Sequence, residues 1–294
     1  MAKKKTGSIA VPFLVTVFVG LLIIGGGAYG IYRYFGFGQD KKPSEPVPRQ
    51  VTTSTYEDNH SILFILDDPE QKCNCTFVLM RSIPKDKRLI FLGIPTNTIA
   101  IVDDQQQSMK GSYERGGGDT AKSFVESFLG VPIDRYMKMD KATFLKTCDI
   151  LGGVTYPVSV EISGLRSDGS EQYLNGEQIE TLVTYSLMDG GEVQRAYTAS
   201  SIIANMVNQS DGVRLADQFD NTFNTIINLC GINGTDLTAK DYREHKVAIK
   251  DMLERGTSIA TFIIMDGTEA DSDYLPSEAF INNFVDQYFK DEQQ

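Results

Sequence analysis

Ile90-Phe91-Leu92-Gly93-Ile94-Pro95-Thr96-Asn97-Thr98 is an apolar run that ends on a proline and then turns polar. A short continuous apolar segment with such an end reads as a buried strand over residues 89–94. Two more runs of the same kind precede it, at residues 62–66 and 76–80, each bounded by charges or turn formers. Pro84-Lys85-Asp86-Lys87 reads as the hairpin turn that joins the last two.

Downstream the period changes. Ala121, Phe124, Val125, Phe128 and Leu129 are spaced as one face of a helix over 119–129, closed by Gly130 and Pro132. Residues 141–151 repeat the pattern and end at Gly152-Gly153. Residues 154–162 alternate as a strand; 176–187, 195–209 and 213–230 are further helices. A strand at 259–265 and a helix at 277–289 complete the order. Helices interleaved with apolar strands predict a single α/β domain over 61–290, with a central mixed sheet covered by helices on both faces. About 230 residues bury roughly 70% of their unfolded surface, enough for a substantial core.

The first 35 residues belong to no soluble core. Lys3-Lys4-Lys5 leads into 27 uncharged residues, Thr6 to Tyr32, closed by Arg33. Spanning a bilayer takes roughly 20 residues, so residues 9–32 predict a transmembrane anchor. A cleaved signal peptide needs a shorter apolar core and a small-x-small site, and no Ala-x-Ala follows. Three lysines on the short flank favour a cytoplasmic amino terminus and an extracytoplasmic body at the cell membrane. Residues 36–60 are rich in Pro, Ser and Thr and read as a flexible linker.

Charge separates tail from body. Residues 1–42 carry six basic groups and one acidic group; the whole chain carries −11, so the other 252 residues carry −16. A body this acidic excludes nucleic acid as a partner, because that binding rests on neutralising phosphates.

The four cysteines are Cys73, Cys75, Cys148 and Cys230. Buried thiols are the default reading, and a disulfide stays open. Cys73 and Cys75, with only His60 and His245 elsewhere, are a weak signal for structural zinc, which takes four ligands. Neither cysteine has a sequence neighbour that would activate it as a nucleophile.

Five pieces keep the order and distances of one family: the opening run; Leu129-Gly130-Val131-Pro132-Ile133-Asp134; Leu151-Gly152-Gly153-Val154; Leu174-Asn175-Gly176-Glu177-Gln178; and Asp273-Tyr274-Leu275-Pro276-Ser277-Glu278. Together they make the body resemble the LytR-CpsA-Psr family, from Ser61 to Phe289. Asn175 among them suits a helix N-cap. The resemblance implies a membrane-anchored, extracytoplasmic enzyme that moves glycopolymer from a polyprenyl-pyrophosphate carrier onto the cell wall. It further implies Mg²⁺ held by carboxylates and a pyrophosphate gripped by arginines.

Checked residue by residue, the charges depart from the family pattern. Where the family has Gly-Thr-Asp-Ser-Arg, this chain has Leu66-Asp67-Asp68-Pro69-Glu70: Asp68 is kept as candidate metal ligand, Asp67 stands beside it, and the arginine is Glu70. Arg-Ser-Asp-Thr has become Cys73-Asn74-Cys75-Thr76, keeping Thr76. Ser-Ile-Pro-Arg-Asp-Thr has become Gly93-Ile94-Pro95-Thr96-Asn97-Thr98, and two arginines after Gln178 are absent. In Gly191-Glu192-Val193-Gln194-Arg195-Ala196, Arg195 is kept and the other arginine is Glu192. Asp68 and Arg195 are thus the catalytic candidates; Asp67, Thr76, Thr96, Asn97, Lys110, Arg115 and Asp189 are the ligand-binding ones. Each lost charged hydrogen bond to a phosphate is worth about 1.5–3 kcal/mol. The expectation is a family-like domain that has lost transfer and binds polyprenyl lipid, or acts as a scaffold among cell-envelope proteins and glycopolymer. The alternatives are a divergent Mg²⁺-dependent transferase using Asp67, Asp68 and Arg195, and a protein-binding or sensory ectodomain.

Overall fold

A computed structural model describes residues 54–67, 75–231 and 233–290. The expected anchor at 9–32, the linker up to Thr53, and Asp68 through Asn74 lie outside the described residues. Among the described residues no helix is long and apolar enough to cross a membrane.

Five strands make the central sheet: β1 (His60–Leu66), β2 (Thr76–Ile83), β3 (Arg88–Ile94), β6 (Arg135–Met139) and β9 (Ala260–Ile263). Their order is β6-β1-β2-β3-β9. β1, β2 and β3 form an antiparallel meander, while β6 runs parallel to β1 and β9 parallel to β3. The sheet is therefore mixed. The carboxyl ends of β1, β3, β6 and β9 share one edge with the start of β2. Three two-stranded ribbons flank it: β4 (Ile99–Val102) with β5 (Gln105–Ser108), β7 (Val154–Pro157) with β8 (Glu171–Leu174), and β10 (Gly267–Ala270) with β11 (Asp273–Pro276).

Seven α-helices among the described residues cover both faces: α1 (Met109–Leu129), α2 (Lys141–Leu151), α3 (Gly176–Thr184), α4 (Gly191–Gln209), α5 (Gly212–Cys230), α6 (Ala239–Arg255) and α7 (Glu278–Tyr288). Strand side chains alternate between faces. Leu63, Ile65, Phe77, Leu79, Ile90 and Leu92 pack against Phe124 and Val125 of α1 and Phe284 of α7. Leu66, Val78, Leu89 and Phe91 pack against residues of α2 to α6, among them Phe144, Val183, Ile202 and Met252. The sheet thus lies between two helical layers, as the alternation of apolar runs and helices predicts.

Several boundaries differ from the sequence reading. α1 begins ten residues early, because Ser108 caps it by accepting from Gly111 N at 3.0 Å. The helix is broken at Gly116 and Gly117, the latter at φ 71°, which disguised its first half. β7 ends at Pro157 rather than at residue 162. β6 and α6 have no counterpart in the sequence reading, both being rich in charge. The N-cap expected at Asn175 is present: its side chain accepts from Gln178 N, and Gln178 returns the bond, both at 3.0 Å.

Candidate functional site

Gly93 sets the geometry. A Cβ there would lie 1.9 Å from the carbonyl oxygen of Ala196, so only glycine lets α4 cross β3 this closely. That crossing brings the first turns of α4 over the carboxyl edge of the sheet, where an open α/β sheet ordinarily holds its ligand.

Arg195 is buried there, at 4% exposure. Its Nε donates to Glu192 Oε1 at 3.1 Å. Nη1 donates to Thr76 Oγ1 at 2.8 Å and to Val183 O at 3.5 Å. Nη2 donates to Cys75 O at 3.0 Å and to Glu192 Oε2. A guanidinium has five N–H donors, and all five are used. Thr76 Oγ1 in turn donates a hydrogen bond to Val183 O at 2.9 Å, and Thr96 donates to Glu192 Oε2. Burial disfavours the charged form of Glu192, but the bonds and charge of Arg195, helped by Thr96, outweigh it and hold the carboxyl below its usual range.

Asp67, at the end of β1, forms a second cluster. Its Oδ2 accepts from Tyr113 OH at 2.5 Å and lies 3.8 Å from Lys138 Nζ; its Oδ1 accepts from Cys75 Sγ at 3.7 Å. Burial, reinforced by the Asp67 charge and hydrogen bond, pushes the Cys75 thiol up to about 12. Burial and the Asp67 hydrogen bond likewise raise Tyr113. A thiol so shifted is not a nucleophile at neutral pH. Cys75, Cys148 and Cys230 are all free.

The edge therefore gathers Asp67, Thr76, Thr96 and Arg195. Lys110 joins through its backbone, whose N–H donates to Thr96 O at 2.9 Å; its Nζ lies 3.9 Å from Glu114 Oε1. Asn97 is turned to the β10–β11 ribbon, donating from Nδ2 to Ser272 O at 2.9 Å. Arg115 is exposed, just ahead of the break in α1. Asp189 is exposed on the turn before α4 and lines a cleft of about 510 Å³ with Tyr156, Met188 and Tyr197. Asp68 is outside the described residues. Glu192, Tyr113 and Lys138 complete the site and were not among the candidates. For Glu192 the signal was its i,i+3 spacing to Arg195 on one helix face; for Tyr113 and Lys138 no local signal exists.

A divalent cation needs several free oxygen ligands. Both oxygens of Asp67 already accept hydrogen bonds, both of Glu192 serve Arg195, and no group of three candidate ligands occurs among the described residues. The candidate metal ligand, Asp68, lies outside these residues. The sheet face under Arg195 is nearly closed as well. Phe64, Leu66, Val78, Phe144, Val183 and Ile203 surround a cavity of about 20 Å³.

The model of the LytR_cpsA_psr family matches residues 37–275. The chain belongs to that family. The LytR_cpsA_psr chain is similar to the polyisoprenyl-teichoic acid–peptidoglycan teichoic acid transferase TagU of Bacillus subtilis, at 23% identity over 274 residues, covering 87% of this chain and 88% of TagU. It is 29% identical to the Bacillus cereus TagU over 155 residues, covering 48% of this chain and 51% of that one. Its fold matches a putative transcription regulator from Eubacterium siraeum (TM-score 0.65, 21% identity, 84% of this chain and 98% of that one). It also matches Bacillus subtilis TagV (TM-score 0.61, 19% identity, 78% and 95%) and TagT bound to LI-WTA (TM-score 0.58, 16% identity, 80% and 91%).

Proposed function

We propose that this protein serves cell-envelope glycopolymer assembly as a membrane-tethered, extracytoplasmic LytR_cpsA_psr domain that has lost phosphoryl transfer and works as a scaffold. Family membership and the similarity to teichoic acid transferases support the first half. The observation that carries the second is the saturation of Arg195: its five donors are spent on Glu192, Thr76, Cys75 O and Val183 O. A phosphate would have to displace a carboxylate that the same helix supplies. Between the two binding modes, the space directly beneath Arg195 favours scaffolding: about 20 Å³ there has room for about one water, and a prenyl chain would have to lie in the neighbouring cleft of about 510 Å³ that Asp189 lines. Envelope proteins or the glycopolymer itself are then the partners, with the membrane held through residues 9–32.

The test is incubation of the full chain in detergent with Mg²⁺ and a polyprenyl-pyrophosphate-linked saccharide. The expected result is no transfer and no cleavage. Turnover that Asp68→Ala or Arg195→Ala abolishes would overturn the reading in favour of a divergent transferase. Polyprenyl lipid co-purifying in stoichiometric amount would move it to lipid binding.

A further inference from the structure

α4 has two working faces. Glu192 and Arg195 look onto the sheet edge, whereas Gln194, Tyr197 and Thr198, spaced i, i+3 and i+4, share the other side. There they wall the cleft of about 510 Å³ that also takes in Asp189, a volume within the range of small-ligand sites, about 300–1,000 Å³. α3 divides in the same way: Val183 O belongs to the Arg195 cluster and Leu182 to the cleft. The two sites are neighbours with separate walls.

The cleft combines aromatic rings with unspent hydrogen-bonding groups. Tyr197 is half-buried and held by an edge-to-face contact with Phe262, ring centroids 5.4 Å apart. Tyr156 lies deeper, its hydroxyl donating to Ser201 Oγ at 3.1 Å. Val158, Leu182 and Met188 supply buried apolar surface. Ser159, Asp189 and Gln194 are all exposed. The Ser159 hydroxyl, the Asp189 carboxylate and Gln194 Oε1 have no protein partner among the described residues, and Gln194 Nε2 reaches only Thr198 Oγ1, at 3.4 Å. The free groups are therefore chiefly acceptors.

That set selects a class of ligand. Among the described residues no Lys, Arg or His lines the cleft, and its one charged group is Asp189 on an acidic body, so phosphate-bearing polymers and other anions are repelled. A prenyl chain would leave Ser159, Asp189 and Gln194 against hydrocarbon with nothing to bond, at a cost for each. A peptide strand finds no edge to join. Thr155 N donates to Gln209 Oε1 at 2.7 Å, Thr155 O accepts from Gln209 Nε2 at 2.9 Å, and Pro157, two residues on, has no N–H. A sugar ring meets every requirement: its hydroxyls donate to the carboxylate and amide oxygens, its C–H face lies on a tyrosine ring, and it carries no charge.

We propose that this cleft binds an uncharged saccharide, with Tyr197 as the stacking platform and Ser159, Asp189 and Gln194 accepting hydrogen bonds from its hydroxyls. That the sugar comes from an envelope glycopolymer rests on the function proposed above; on that basis the scaffold's partner is a neutral glycan rather than a polyanion. Sugar binding and phosphoryl transfer belong to different sides of α4, so either can fail without the other.

The test uses the full chain in a detergent without a sugar headgroup, titrated by calorimetry with N,N′-diacetylchitobiose and, separately, cellobiose. At least one should bind saturably with a Kd at or below about 1 mM, and neither farnesol nor a glycerol phosphate polymer at equal concentration should displace it. Asp189→Ala and Gln194→Ala change exposed side chains and should leave the thermal melt unchanged; the first should weaken binding at least about tenfold and the second at least about threefold. Tyr197→Leu should weaken it at least about fivefold with a cooperative melt. Saturable binding of neither sugar by about 10 mM, or affinity unchanged in Asp189→Ala, would overturn the proposal. So would displacement by farnesol, which gives the cleft to a prenyl chain, or by the polymer, which gives it to an anion. No sugar binding together with no transfer would refute this proposal and leave the scaffold standing; transfer activity would refute the scaffold alone.

Discussion

Glu192→Ala tests whether the Arg195 cluster is the closed electrostatic unit its geometry describes. The substitution removes two bonds from Arg195 and one from Thr96. Each bond to a charged partner is worth about 1.5–3 kcal/mol, and stranding a buried cation costs about 3–5 kcal/mol. The Glu192 side chain is 27% exposed, so water replaces part of what is lost, and Thr76, Cys75 O and Val183 O still hold the guanidinium. The expected loss is therefore about 2–4 kcal/mol, the lower end of those ranges. Urea unfolding at neutral pH should show it as a lower midpoint with an unchanged slope. In a double-mutant cycle with Arg195→Ala, the coupling should be about 1.5 kcal/mol or more. The same variant frees two N–H donors, so inorganic pyrophosphate should bind at least about tenfold tighter than to the parent. A stability change under about 0.5 kcal/mol with additive single effects would refute the reasoning, since Glu192 would then not be what occupies Arg195.

Gly93→Ala should lower stability by about 1–3 kcal/mol or more, read as a drop in Tm, because its methyl meets the Ala196 carbonyl at 1.9 Å; an unchanged Tm would mean α4 can lift off β3 freely. Stability should also fall with acidification from pH 6.5 downward. Burial, against the pull of Asp134 and with repulsion from His245, holds His60 below the ordinary histidine value of 6.5. The unfolded chain therefore takes up that proton first, and folding loses free energy as pH drops through 6.5 toward the folded value. Urea midpoints at about pH 7.5 and 5.5 check this, and equal midpoints would count against it. Burial pushes Cys75 and Cys148 up to about 12 and Cys230 to about 11, so all three should resist iodoacetamide in the native state and label on unfolding, read site by site by mass spectrometry. Fast native labelling at Cys75 would contradict its hydrogen bond to Asp67.

Particular elements show why some of this was legible and some was not. Residues 89–94 are apolar on both sides because the strand is buried on both faces, and that burial is written into composition. α2 and α3 carry their caps and stripes in sequence for the same reason. α6 does not: it reads as a charged segment in which Ala248 and Met252 are the buried apolar residues. Its one local signal was the capping box of Thr238 with Asp241. β6, Arg-Tyr-Met-Lys-Met, is held by its ladder to β1 rather than by an apolar run.

Sequence alone determined the layered α/β body and the family it belongs to, because periodicity and residue identity are local properties. Tertiary structure alone decided what the surviving arginine does. Two of its five acceptors are backbone carbonyls, Cys75 O and Val183 O, and a carbonyl has no letter of its own. The meeting of His60 and His245 is of the same kind. Residues that distant become neighbours only once β1 and α6 are packed together.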